Sequence, residues 1–234
     1  MKQYKAIFLD WDDTIGDWSN AAWMALQELF IKYHLDELYD SVSDFFNTYE
    51  PYNLELWRKY GEQEVTKAQL HFERFYYPLM VNDYPEFRGV DKKLLARQMG
   101  DDFLALTNKH FSLLPDAAET VHYLASKYPL TIISNGFKEV QYYKFAHSGL
   151  ASCFAHTLIS EEVGVNKPQP DIFRLALKLN GVTPDEALMV GDSYSSDIAG
   201  AKAAEIDQVW IHQETTIETA TYIIPHIADL KFLI

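Results

Sequence analysis

Four apolar residues, Ala6-Ile7-Phe8-Leu9, run directly into Asp10-Trp11-Asp12-Asp13-Thr14. A short continuous apolar run bounded by polar residues is the pattern of a strand covered on both faces, as in parallel sheets. The C-terminal end of such a strand opens into the crevice where open α/β sheets bind ligands, so Asp10 and Asp12 are expected there. Carboxylates packed this closely repel one another unless a cation or a proton offsets them. An acidic turn after a strand is the ordinary alternative, since aspartate is common in turns. The rest of the chain decides between the two.

A chain of 234 residues suits one large domain or a core with an insert. Hydrophobic residues make up 48% and aromatics 15%, which supplies a core and excludes a disordered composition. The net charge of −14 argues against a nucleic-acid polymer or an anionic membrane as partner. An anionic substrate then needs a locally positive site, which screening over ~8 Å permits. Cys153 is the only cysteine, so no intramolecular disulfide can form, and a cytoplasmic location is expected. Asp10 interrupts the apolar stretch near the N-terminus, so no signal peptide is expected, and no apolar run approaches a membrane span. The eight histidines lack zinc spacing such as HExxH, which argues against a zinc enzyme.

After Ile15 the strand rhythm stops for about ninety residues. Helices are expected over Asp17–Tyr33, Asp40–Thr48, Tyr52–Tyr60, Thr66–Pro78 and Asp91–His110. The second ends before Pro51, Gly61 stops the third, Thr66 caps the fourth, and Leu94, Leu95, Met99, Phe103 and Leu106 form the apolar side of the fifth. From Leu114 strands and helices alternate. Strands are expected at Leu130–Ser134, His156–Ile159, Ala187–Val190, Gln208–Ile211 and Thr221–Ile224. The intervening helices cover Pro115–Lys127, Gln141–His147, Pro170–Leu179 and Asp197–Ala204, with a terminal helix through Leu230. The fold class that follows is α/β, a Rossmann-like parallel sheet core with an inserted α-helical cap domain. Residues 1–16 and 110–234 form the expected core and residues 17–109 the cap.

Polar groups of complementary type sit at successive strand ends. Asp10, Asp12 and Thr14 follow the first strand; Ser134, Asn135 and Gly136 follow the second. Lys167 lies in Asn166-Lys167-Pro168, and Gly191-Asp192 precedes Asp197. Singly, each has an ordinary reading: an Asn-Gly turn, a surface lysine, an acid placed favourably near a helix start. A hydroxyl, an amide and a flexible backbone after a strand can also hold an oxyanion. Four such groups on the strand ends of one sheet are hard to assemble by chance.

The set resembles the haloacid dehalogenase superfamily, and specifically its phosphatases. Asp10-Trp11-Asp12-Asp13-Thr14 is similar to the first motif DxDx(T/V), Ser134-Asn135-Gly136 to the second, Lys167 to the third-motif lysine, and Gly191–Asp197 to GDxxxxD. The order matches and the resemblance covers the whole chain. One departure is Glu205, where relatives usually carry glycine at a helix end.

The resemblance implies a Mg²⁺-dependent hydrolase acting on a small phosphomonoester. Asp10 is then the nucleophile and Asp12 the general acid and base. Asp10, the Asp12 backbone carbonyl and Asp192 hold the metal, with Asp197 in support, while Thr14, Ser134, the Asn135 backbone and Lys167 hold the transferring oxygens. A dehalogenase of the same superfamily lacks the second aspartate, so Asp12 argues against it. A phosphomutase shares every core motif, and a silent binding protein keeps only the fold. Ile159–Pro168, with Leu56–Tyr60 and Phe72–Phe75 in the cap, looks like the bacterial pyrimidine 5′-nucleotidase branch. Trp57 is the expected stacking surface for the base, and Arg58 or Arg74 the polar group for its edge. Oligomeric state is left open, a monomer being compatible.

Overall fold

The computed structural model describes residues 2–82, 89–213 and 217–234. The chain forms two compact units, Met1–Trp18 with Ser112–Ile234, and Ser19–Phe111.

Ser19–Phe111 is built on α1 (Trp18–Lys32), α2 (Val42–Gly61), α3 (Lys67–Val81) and α4 (Lys92–Lys109). Thr66 caps α3 as expected, closing a reciprocal pair of hydrogen bonds with Gln69. The two helices expected either side of Pro51 are one. Ser41 caps α2 through the Asp44 amide, and the buried stripe Phe45, Tyr49, Asn53, Leu56 continues across the proline. Tyr49 lies 5.3 Å from Phe75 of α3 and 6.2 Å from Phe103 of α4, centroid to centroid. A proline inside a helix costs about 3 kcal/mol, but each large apolar side chain buried on that stripe returns about 1.5–3 kcal/mol. Packing therefore overrides the local break. In α3 the helix likewise runs past Pro78. Pro51 itself is exposed, so Pro51→Ala is expected to raise the melting temperature of the helical unit by a few degrees in calorimetry. The gain is trimmed by about 0.4–1 kcal/mol of unfolded-chain entropy that proline had removed.

On α4 the buried side is Ala96, Met99, Gly100, Phe103 and Thr107. Leu94, expected there, is 51% exposed. Small residues carry much of this contact, so counting large apolar residues misjudges its direction.

Met1–Trp18 with Ser112–Ile234 holds six parallel strands, β1 (Ala6–Leu9), β2 (Leu130–Ser134), β3 (Phe154–Ile159), β4 (Ala187–Gly191), β5 (Asp207–Ile211) and β6 (Tyr222–Ile224), in the order β3-β2-β1-β4-β5-β6. The expected strands all form, with ends moved by one or two residues. Every residue of β1, β2 and β4 is buried, as strands covered on both faces require. The helices of this unit are α5 (Ala117–Ala125), α6 (Lys138–Ser148), α7 (Ser160–Val163), α8 (Pro170–Asn180), α9 (Ala199–Ala203) and α10 (Leu230–Leu233). Helix α5 starts at Ala117 rather than Pro115, because Asp116 takes φ 60° and breaks the helical path. Ile172, Phe173, Ala176 and Leu177 of α8 pack in one cluster with Ala6, Phe8, Ile133 and Met189 of the sheet. Glu205 sits at φ 62°, the left-handed region that glycine enters at no steric cost.

Candidate active site

Strand β1 lies between β2 and β4, and the chain order runs outward on either side of it. That reversal is the switch point where open α/β sheets bind ligands, beyond the strands' C-terminal ends. Leu9 pairs with Ile132 and Val190, and the Asp10 amide donates to the Val190 carbonyl at 2.9 Å. Asp10 therefore leaves β1 level with the end of β4. Trp11 is wholly buried, edge-on to Phe145 of α6 with centroids 4.6 Å apart. Asp13 turns the chain at φ 56°, its amide donating to the Gly16 carbonyl. The Thr14 hydroxyl then donates to Asp192 Oδ1 at 3.2 Å.

The other strand ends converge on the same point. Lys167 Nζ lies 2.5 Å from Asp10 Oδ1 and 2.6 Å from Asp197 Oδ1. Its backbone is clamped from the β2 end: the Lys167 amide donates to Asn135 Oδ1, and Asn135 Nδ2 donates to the Lys167 carbonyl, both at 2.8 Å. Ser134 Oγ accepts from the Gly136 amide at 3.1 Å. Asp197 is carried by a π turn, Tyr194–Ile198, where a plain helix start is expected, and its Oδ2 accepts from the Ser193 amide. A Cβ at position 191 would lie 2.3 Å from that oxygen, which explains the glycine before Asp192.

The charge balance is uneven. Asp10, Asp192 and Asp197 bring carboxylate oxygens within 4.8 Å of one another. Burial, aided by Asp197 and Asp12 and opposed by Lys167, pushes the Asp10 carboxyl up to about 7. Burial, then Asp10, Asp197 and Asp13, push Asp192 up to about 9. Burial works against a charged Lys167, but Asp10 and Asp197 outweigh it and raise its pKa. One ammonium does not neutralise three carboxylates. A hard divalent cation with oxygen ligands fits this donor set. Lys167 and the Ser193 amide between them bond both Asp197 oxygens, whereas the bonds described for Asp10 and Asp192 each fall on Oδ1 alone, from Lys167 and Thr14, so Asp10 and Asp192 are the acids that could hold it.

The eight strand-end residues singled out in the sequence, Asp10, Asp12, Thr14, Ser134, Asn135, Lys167, Asp192 and Asp197, thus lie at or beside the strand ends that flank the switch point. Two more meet them: Gln141 and Lys144 of α6 both bond the Asp12 carboxylate. Their signal was a glutamine and a lysine on the buried face of a helix, alongside Val140 and Phe145. In the helical unit, the base-edge candidates do not stand free. Arg58 is bonded to Glu55 and Glu62. Arg74 is buried among Phe75, Phe103 and Tyr49, its guanidinium carbon 4.7 Å from the Phe103 ring centre. Trp57 packs edge-on to Tyr60.

A parallel sheet with a carboxylate cluster and a buried lysine at its switch point defines an α/β enzyme core. Residues 4–205 match the haloacid dehalogenase-like hydrolase family, and the chain belongs to it. Glyceraldehyde 3-phosphate phosphatase of Pyrococcus furiosus is 32% identical over 90% of this chain and 81% of its own. Pyrimidine 5′-nucleotidase YjjG of Escherichia coli K12 is 30% identical over 88% of this chain and 85% of its own. HAD-hydrolase YfnB of Bacillus subtilis, solved bound to magnesium, superimposes with TM-score 0.85 at 26% identity, covering 99% of both chains. Among the described residues no helix is long and apolar enough to cross a membrane.

Proposed function

We propose that this hydrolase cleaves small phosphomonoesters through an aspartyl-phosphate on Asp10. The observation that carries the reading is the Asp10 carboxylate against Lys167 at the end of β1, with a second acid, Asp12, two residues on. Asp10 Oδ attacks phosphorus, and the bond from phosphorus to the ester oxygen breaks as Asp12 donates a proton to that oxygen. Water then attacks the phosphorylated Asp10. Asp12 takes the water's proton, the Asp10–phosphorus bond breaks, and inorganic phosphate leaves with both aspartates restored. Lys167, Thr14, Ser134 and the Asn135 backbone hold the phosphoryl oxygens as charge shifts between them. Asp10, Asp192 and the Asp12 carbonyl would hold magnesium, which would supply positive charge between the attacking carboxylate and an anionic phosphoryl group. Asp197 anchors Lys167 from behind. Residues 1–16 with 110–234 act in this proposal as catalytic core, and residues 17–109 as the cap that selects substrate.

For substrate we propose pyrimidine nucleoside 5′-monophosphates. The reading rests on the likeness to the E. coli nucleotidase and on an aromatic-rich helical unit that offers stacking surfaces for a base. The similarity to a glyceraldehyde 3-phosphate phosphatase favours a competing reading, a small sugar phosphate. The test is kcat/KM for UMP against glyceraldehyde 3-phosphate, phosphoglycolate and a hexose phosphate. UMP is expected to lead by more than about tenfold, or 1.4 kcal/mol of transition-state preference. Trp57→Ala is expected to weaken UMP alone. A tenfold lead for any of the others would end the nucleotidase reading and leave the phosphatase chemistry standing.

A further inference from the structure

Both oxygens of the Asp12 carboxylate are held by α6. Gln141 Nε2 donates to Oδ2 at 2.7 Å, and Lys144 Nζ donates to Oδ1 at 2.5 Å. The two donors are three residues apart, so they share one face of the helix. Lys144 is nearly sealed from solvent, its side chain 3% exposed against 27% for Asp12, and its ammonium lies 4.3 Å from the centre of the Trp18 ring. Two features tie this arrangement to the turn after β1, and a third sets it apart from ordinary packing. Phe145, next to Lys144, packs on Trp11, next to Asp12. A Cβ on Gly136 would come within 1.9 Å of Gln141 Nε2, so the side chain reaches Asp12 across a space that only glycine leaves open. And Gln141 Oε1 is buried without a hydrogen-bond partner among the described residues. An orphaned buried carbonyl costs about 1–3 kcal/mol, which stability alone does not explain.

We propose that Gln141 and Lys144 are positioning residues for Asp12, a two-point clamp that keeps its carboxylate in one orientation through both halves of the reaction. This rests on the acid–base role given to Asp12 above. A carboxylate on a short side chain swings about χ1 and χ2, and a displacement of about 1 Å at a proton-transferring group can cost about a hundredfold in rate. One bond would leave it free to pivot. Two bonds from one rigid helix stop that motion, and the lysine offsets a charge set close to the Asp10 carboxylate.

The step most sensitive to the clamp is hydrolysis of the phosphorylated Asp10, where Asp12 acts as base whatever the leaving group was. With p-nitrophenyl phosphate the leaving group needs little protonation, so loss of the clamp should slow the second half selectively. Lys144→Met is expected to lower kcat about 10–100-fold with KM falling in step, so that kcat/KM changes less than about threefold, and to convert linear progress into a burst of one nitrophenolate per enzyme. Lys144→Arg, which keeps charge and donors, is expected to recover most of the rate. In an Asp12→Asn background Lys144→Met should add less than about threefold, because the group it acts through is gone. Circular dichroism checks folding. If Lys144→Met is unfolded, Gln141→Ala, which only removes an amide, decides by the same burst. A kcat within about threefold of wild type for the folded variant overturns the clamp. So do losses that multiply in the double variant while Asp12→Asn alone is impaired. Full turnover by Asp12→Asn would overturn the acid–base reading, and the clamp with it.

Discussion

Replacing Asp10 with asparagine is expected to cut turnover of any phosphomonoester by at least about a thousandfold while leaving the fold intact. Asparagine has the same shape and can still accept from Lys167, and the backbone bond from residue 10 to the Val190 carbonyl does not involve the side chain. What disappears is the nucleophilic oxygen. The same change removes one of three crowded carboxylates, whose burial already pushes Asp10 up to about 7. Metal-free Asp10→Asn should therefore melt no lower than metal-free wild type at about pH 8, because it relieves repulsion among the carboxylates. Steady-state phosphate release, with melting curves on the same samples, reads both effects. Retention of even a tenth of the wild-type rate would remove Asp10 from the nucleophile's role.

Chelating the metal is expected to have an effect of the same order on activity and a pH-dependent effect on stability. Asp10 and Asp192 both have carboxyls raised above the ordinary range, chiefly by burial, to about 7 and about 9. A group whose pKa is higher folded than unfolded gives stability that is fully present below the unfolded value, near 3.9, and lost as pH climbs through the folded one. The metal-free protein should thus weaken steadily between about pH 4 and pH 9. A divalent cation supplies the charge that protons supply in acid, and it binds better once they have left. The gap in melting temperature between magnesium and EDTA samples should widen by several degrees from about pH 6 to about pH 9. Metal-independent turnover after chelation would refute the magnesium requirement. A gap that stayed constant or narrowed with pH would show that the carboxylates are not the groups holding the ion.

Much of the site was legible because its parts obey local rules. Asp10, Ser134 and Asp192 each stand at or just after the end of an apolar run, and a run of that kind announces a buried strand without reference to anything distant. The helix stop before Pro51 was also a local inference, and there it failed, since the stripe Phe45, Tyr49, Asn53, Leu56 is held by partners on α3 and α4 that no local window contains. Leu94 failed for a related reason: which side of α4 is covered depends on its neighbours, and the side chosen is one of small residues.

The sequence by itself determined the alternation of strands and helices, the long helical interruption after Ile15, and the identity of the acids, hydroxyls and lysine at the strand ends. These follow from apolar runs, caps and turn residues, whose energetics are set within a few positions. Only the tertiary structure decided what each group touches. That Asp12 is gripped by Gln141 and Lys144, 129 and 132 positions away, depends on α6 docking through Phe145 onto Trp11 and on the missing side chain at Gly136. That Asp10 and Asp192 share a crowded, cation-demanding space depends on β1 and β4 lying side by side. Contacts of this kind are fixed by packing between segments far apart in the chain, and no local pattern of residues encodes them.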